Sequence, residues 1–294
     1  MTQDQSSSPV AILAGGGRLP FDLAANLRKL KRQPIVFAID GEADQSLAEF
    51  DPYWVGWGQV GRCLDLAKKH ECQQVVMIGS ITQRPDYRSV LGDMGTLKRL
   101  PRILKAYVGS DNDILTSTIN LIEVEGFKVV GAHELAPDLL CPQGTLGRTK
   151  PNKAALADAA MGMRAIARLG EFDIGQSVVV IGGRIAAVEA AEGTDAMVSR
   201  VAQLRKSGRL RGNTHKGVLV KAVKPEQDLR VDLPAVGPDT VQNAADAGLA
   251  GICIEAGRVL MADRAAMIER ANQLGLFLHG IAQSAIPPDD KASQ

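Results

Sequence analysis

Short unbroken apolar runs alternate along the chain with stretches whose apolar residues recur every three or four positions, the pattern of buried strands joined by amphipathic helices. Near the start, Val10 to Leu13 form such a run and Gly15, Gly16 and Gly17 supply a turn. The following "LPFDLAANLRKLKRQ" reads as a helix with Pro20 at its beginning, where a missing N–H costs little. The apolar "PIVFAID" predicts a second strand and completes a βαβ unit. "VGRCLDLAKKHECQQVVMIGSI" repeats helix and strand through Val75 to Ile78, and "EVEGFKVVGAHEL" adds another helix end and strand. Residues 1–135 thus read as a Rossmann-like parallel-sheet domain.

The periodicity lapses in the Pro- and Gly-bearing "APDLLCPQGTLGRTKPN", so residues 136–152 are expected to be a linker. Beyond it, "KAALADAAMGMRAIARLGEF" predicts a helix ending at Gly170, and "QSVVVIGG" and "RIAAVEAAEG" predict strands bracketing a hairpin turn at Gly182 and Gly183. "TDAMVSRVAQLRKSG" reads as helix, "GVLVKAVKP" as strand and "PDTVQNAADAGL" as a helix with Pro238 near its start; two strands and a helix end the domain. Residues 153–284 are therefore expected to form a catalytic α/β domain with a mixed sheet, and 285–294 a disordered tail. No internal repeat is evident.

Composition narrows the chemistry. The chain has 294 residues, 45% of them hydrophobic, enough for two ordinary domains with real cores. A net charge of +1 gives no electrostatic case for nucleic-acid binding. No apolar stretch nears the roughly 18 residues that span a bilayer. The opening "MTQDQSSSPV" lacks the basic and apolar regions of a secretory signal, so a cytoplasmic location is expected. Cys63, Cys72, Cys141 and Cys253 are scattered without a C-x-x-C pair and read as reduced, buried thiols. Zincin, nucleophile-elbow and P-loop motifs are absent.

Three places can carry chemistry. The glycine turn Gly15, Gly16, Gly17 precedes a helix and could present N–H groups to a phosphate, with Asp40 at the end of the next strand where a dinucleotide fold puts its ribose-binding carboxylate. The third glycine of that fingerprint is missing, and such turns also simply close βα connections. The second place is "IAAVEAAEGTDA", which gathers Glu189, Glu192 and Asp195 around a break at Gly193. Thr194 can cap the helix that Asp195 begins, and the carboxylates are candidates for a hard cation such as Mg²⁺. The third is "VLVKAVKPEQDLRVDLPAVGPDT", where Lys221, Lys224, Gln227, Asp228, Arg230 and Asp232 follow an apolar strand and Pro225, Pro234 and Pro238 predict a rigid extended loop. Cations there suit phosphate oxygens, and Asp228 or Asp232 suits metal binding or water activation. Each charged cluster alone could be a solvated surface; two in one domain, each where a strand ends, favour a site. His133 and His215 read as structural or surface residues, and "GSDNDIL" as a helix start capped by Ser110 or Asp111.

Together "LAGGGRLP", "GFKVVGAHEL", "DIGQSVVVIGGRIAAVEAAEGTDAMVSR" and "GVLVKAVKPEQDLRVDLPAVGPDTV" resemble the LpxI family of UDP-2,3-diacylglucosamine pyrophosphatases over residues 10–283, most specifically in E-x-x-E-G-T-D and K-P-x-Q-D-x-R-x-D-x-P. The resemblance implies a two-domain, Mg²⁺-dependent enzyme of lipid A synthesis, with the lipid substrate held between its domains. It would hydrolyse the diphosphate of UDP-2,3-diacylglucosamine to UMP and 2,3-diacylglucosamine 1-phosphate (lipid X) by water attack on the phosphorus nearer the sugar. On that reading Asp228 and Asp232 are catalytic, and Glu189, Glu192 and Asp195 are metal ligands. Gly15, Gly16, Gly17, Thr194, Arg200, Lys221, Lys224, Gln227 and Arg230 bind substrate. Transient contact with the inner-membrane surface follows from the lipid, and a homodimer is an allowed assembly. A nicotinamide-dependent dehydrogenase built on the glycine turn and a non-catalytic nucleotide-sugar-binding protein are the alternatives.

Overall fold

A computed structural model describes residues 8–82, 96, 111–210, 216–225 and 227–282. The expected tail, His215 and Ser110 lie outside the described residues. The chain divides into two compact units: Met1–Pro137 with Leu229–Val231, and Asp138–Asp228 with Asp232–Gln294.

The first unit is built on a sheet of β1 (Val10–Ala14), β2 (Pro34–Ile39), β3 (Tyr53–Val55), β4 (Gln74–Ile78) and β5 (Lys128–Val129). All pairs are parallel, in the order β3-β2-β1-β4-β5. The strands read as continuous apolar runs because such a sheet is covered on both faces. Helix α1 (Leu19–Lys29) buries Leu19, Leu23, Ala24 and Leu27, one stripe at helical spacing, and ends on Arg28 and Lys29, which suit the negative end of its dipole. Helices α2 (Val60–Lys69), α3 (Asp111–Val124) and α4 (Ala132–Leu135) follow. Val231 packs against the cluster of Ala11, Ile35, Phe37 and Val75, and Arg230 pairs with Glu123 on α3 at 3.3 Å.

The second unit carries a mixed sheet of β6 (Gly144–Thr145), β7 (Ser177–Val180), β8 (Ile185–Val188), β9 (Val218–Lys221), β11 (Gly251–Glu255) and β13 (Phe277–Ile281). Its order is β6-β13-β11-β9-β7-β8, with β9, β11 and β13 parallel and the others antiparallel to their neighbours. A separate two-stranded ladder joins β10 (Ala235–Val236) to β12 (Leu260–Met261). The sheet's strand residues alternate between two cores, as a pleat requires. Val178, Val180, Val218, Val220 and Cys253 meet helix α5 (Lys153–Leu169) through Ala159, Met163 and Ile166. Val179, Leu219, Ile252, Ile254 and Leu278 meet α6 (Gly193–Lys206), α7 (Pro238–Asp246) and α8 (Arg264–Leu274).

The hairpin expected at Gly182 and Gly183 joins β7 to β8. Both glycines hold positive φ, +60° and +76°, the mirror-image turn that matches strand twist and that side chains resist. The Asp158 carboxylate on α5 accepts both their N–H groups, at 2.9 and 2.6 Å. Residues 136–152, read as a linker, carry β6 within the second sheet, and the N–H of Cys141 bonds Val259. Strands β3, β6, β10 and β12 escape the sequence pattern because each is two or three residues long. All four cysteines are free and buried, and burial pushes the Cys141 and Cys253 thiols up to about 12.

Candidate functional site

In the second unit one residue of the later charged cluster, Lys221, reaches the earlier one where β9 leaves the sheet. Its apolar run "VLVK" ends on Lys221, only 8% exposed, whose ammonium donates to Thr194 Oγ1 at 2.7 Å. Thr194 in turn donates to Glu189 Oε1 at 2.9 Å. Its single hydroxyl hydrogen being spent there, it accepts from Ser177 Oγ at 3.1 Å. The other Glu189 oxygen takes the backbone N–H of Gln176 at 3.1 Å. Thr194 is therefore the hub of a buried polar cluster that ties the exit of β9 to the first turn of α6. Burial pushes the Lys221 pKa below its ordinary value, opposed by the charges of Glu189 and Asp195.

This arrangement corrects two expectations. Thr194 does not cap the helix: α6 begins at Gly193 after Glu192, with no side-chain cap. The hydroxyl that would cap is drawn instead to a buried ammonium, a stronger partner than a neutral amide. Lys221, expected on phosphate oxygens, is turned inward because a lysine closing a fully apolar strand follows that strand into the core.

The three carboxylates do not converge into a ligand set. Glu192 pairs with Arg200 at 3.0 Å and accepts the N–H of Ala190 at 3.2 Å. Arg200 also donates to the Val188 carbonyl at 2.9 Å, so it braces β8 rather than standing free. Asp195, in the first turn of α6, accepts from Asn243 Nδ2 at 3.0 Å. Among the described residues no group of three His, Cys, Asp or Glu side chains is placed to hold a metal ion. The positive charge acting on Glu189 and Asp195 is the Lys221 ammonium, so these residues do not fit a preassembled Mg²⁺ cage.

The loop after β9 holds the remaining candidates. The Lys224 N–H donates to Gln227 Oε1 at 3.2 Å, Gln227 Nε2 donates to Asp232 Oδ2 at 2.5 Å, and the Asp232 N–H returns to the Asp228 carbonyl at 3.0 Å. Prolines were expected to stretch this segment; these bonds coil it into a turn that keeps Asp228 and Asp232 side by side along the chain. Asp228 is exposed and Asp232 half-buried. Lys224 Nζ pairs with Asp173 at 2.5 Å. Arg230 belongs to the first unit with its partner Glu123.

The glycine turn of the first unit is closed by β4. The Gly15 N–H donates to the Ile78 carbonyl at 2.9 Å and the Gly16 N–H to the Ser80 carbonyl at 2.7 Å, and Ser80 N–H returns to Gly16 at 3.0 Å. A Cβ on Gly15 would stand 2.4 Å from the Ser80 oxygen. Gly15 and Gly16 are thus glycines of close backbone approach. Their two N–H groups are already used, which weakens the case for a dinucleotide site and for the dehydrogenase alternative; Gly17, at φ +83°, makes the turn itself. The helix behind them starts after Arg18, bonded to Asp22 at 3.2 Å.

Two partners were not foreseen. Ser177 opens β7, and Glu255, 2% exposed, closes β11 and accepts the Val223 N–H at 2.8 Å. A charged residue ending an apolar strand, the signal that drew attention to Lys221, is present in "GICIE" as well.

Models of two LpxI domains match the chain, the N-terminal domain over residues 9–139 and the C-terminal domain over 142–279. The chain is 40% identical over 272 residues to the UDP-2,3-diacylglucosamine pyrophosphatase LpxI of Caulobacter vibrioides, an alignment covering 92% of this chain and 97% of that protein. No helix among the described residues is long and apolar enough to cross a membrane.

Proposed function

The chain belongs to the LpxI family, and on that premise we propose that it hydrolyses UDP-2,3-diacylglucosamine to UMP and 2,3-diacylglucosamine 1-phosphate in lipid A biosynthesis. The observation that carries this reading is the likeness to a pyrophosphatase along nearly the whole of both chains. The loop after β9 agrees with it. Cleaving a diphosphate needs charge neutralisation and a positioned water more than a covalent nucleophile. Asp228, exposed at that loop, is assigned as the base that orients and deprotonates the attacking water; Asp232, fixed by Gln227, supports it. Lys224, on exchanging Asp173 for substrate, would meet phosphate oxygens.

Mg²⁺, expected from the family likeness, would have to enter with the substrate and would supply charge neutralisation to the diphosphate, since this ion usually keeps several waters and binds through substrate phosphates plus one or two carboxylates. The lipid product and substrate place the enzyme at the cytoplasmic face of the inner membrane by transient contact.

Incubating the protein with Mg²⁺ and the diacylated UDP-sugar should release UMP; no release overturns the proposal. Asp228→Asn and Asp232→Asn should lower kcat by about 10²–10⁴-fold, the ordinary weight of general acid–base catalysis, with substrate binding retained. Full activity in both variants removes the site assignment. In ¹⁸O-labelled water the label should enter the sugar phosphate, and label confined to UMP reverses the direction of attack.

A further inference from the structure

The geometry points to Glu255 as a positioning residue for this reaction, one that sets where the loop bearing Asp228 and Asp232 leaves the sheet; the inference rests on the hydrolytic reading above. The β9–β11 ladder runs in register from Val218 beside Gly251 to Lys221 beside Ile254 and stops there. Alternate N–H groups of a strand face opposite neighbours, so each group beyond the stop needs a new partner. The Ala222 N–H finds the Gln176 carbonyl on the β7 side at 3.0 Å. The Val223 N–H faces β11, where the ladder has ended, and the Glu255 side chain takes the place of a main-chain carbonyl at 2.8 Å. A backbone partner could satisfy Val223 only by prolonging the strand pairing, which would carry the loop onward along β11.

A carboxylate is the group that fits. Glu255 Oε1 accepts from Arg258 Nη1 at 3.2 Å while Oε2 holds Val223, so two donors converge on two oxygens. A glutamine offers one oxygen and would face one donor with its own N–H; an aspartate falls short by one carbon–carbon bond, about 1.5 Å. A charge this buried persists only when so paired. From Val223 the constraint passes by single steps: Lys224 N–H to Gln227, Gln227 to Asp232, and Asp232 N–H to the Asp228 carbonyl. The bonds that lead from Glu255 to the two aspartates run through the backbone that carries them.

The test compares Glu255→Gln with Arg258→Met, which leaves the Val223 bond in place. Steady-state UMP release is normalised to folded protein, and hydrogen–deuterium exchange is followed in peptides covering residues 222–232 and, as an internal standard, the β7–β8 hairpin. Glu255→Gln should lower kcat at least tenfold with KM within about threefold of wild type, and add little to the loss already caused by Asp228→Asn. Exchange should rise in 222–232 and not in the hairpin. Arg258→Met should show the same changes to a smaller degree, which also answers a Glu255→Gln protein that fails to fold. Unchanged kcat and unchanged exchange at 222–232 overturn the inference, as does a loss fully additive with Asp228→Asn. If the wild-type protein releases no UMP, the hydrolytic reading fails, and the exchange comparison decides the role of Glu255 by itself.

Discussion

Replacing Thr194 by valine keeps the shape of the side chain and deletes the hydroxyl that three other groups share. Lys221 loses the one hydrogen bond its ammonium makes among the described residues, Ser177, fully buried, loses its side-chain partner, and Glu189 loses a donor while keeping the Gln176 N–H. Stranding a buried polar group costs about 1–3 kcal/mol, and more for a charge, so Thr194→Val should destabilise by about 3–5 kcal/mol. Lys221→Met deletes the charge itself. The bond to Thr194 and the counter-charge of half-buried Glu189 go, but so does the several-kcal/mol penalty of holding an ammonium out of water, and Thr194 and Gln176 still donate to Glu189. Its net cost should stay within about 1–2 kcal/mol. The double variant, having no ammonium left to strand, should recover about 1–3 kcal/mol of the Thr194→Val loss. Thermal unfolding followed by circular dichroism reads all three, with melting midpoints moving about 2–4 °C per kcal/mol. The pH dependence adds a check on sign. Because the folded-state pKa of Lys221 lies below 10.5, the unfolded chain holds that proton more tightly. Its contribution to stability therefore improves as pH rises from the depressed folded value towards 10.5, and Lys221→Met should lack that rise. A Lys221→Met protein less stable than Thr194→Val, or a double variant worse than Thr194→Val, would refute the hub.

Gly15→Ala should destabilise the protein by about 1–3 kcal/mol or more in thermal unfolding, because its methyl would enter the Ser80 carbonyl; an unchanged melting point contradicts the closed turn. Burial lowers the pKa of His279, which bonds Thr145 across β6 and β13 at 3.2 Å. The unfolded chain then binds the proton first as pH falls through 6.5, so this contribution to stability is complete above 6.5 and declines below it, towards the depressed folded value. His279→Asn should flatten that acid limb in pH-dependent denaturation, and identical limbs in both proteins would show that His279 is not its source.

The larger strands and helices were legible because they obey one periodicity each: "VAILA", "SVVV" and "GICIE" are continuous apolar runs, and the Leu23–Leu27 stripe of α1 has helical spacing. The expected hairpin at Gly182 and Gly183 follows from the same local logic, since its turn needs positive φ at both residues. The site was legible as two charged clusters and not as an arrangement. Whether Lys221 faces solvent or core depends on β7 and α6 arriving around it, and nothing within "VLVK" encodes their approach. Thr194 before Asp195 looks like a cap because capping is a local rule, whereas its actual partners Lys221 and Ser177 are distant in sequence. Gly15 and Gly16 show a different limit. A glycine admitting a phosphate and a glycine admitting another strand are the same letter, and only the position of Ser80 separates them.

The assignment of Leu229–Val231 to the first unit bears on how the chain is made. Synthesis runs from the N-terminus, so all five strands of the first sheet exist long before Val231, which completes the cluster around Ile35 and Phe37. From Pro137 to Leu229 is a wait of roughly 5–20 s at 5–20 residues added per second before Val231 can join that cluster. A gene divided after Pro137 would yield a first half lacking three of its own residues, and only a later piece of the polypeptide could supply them.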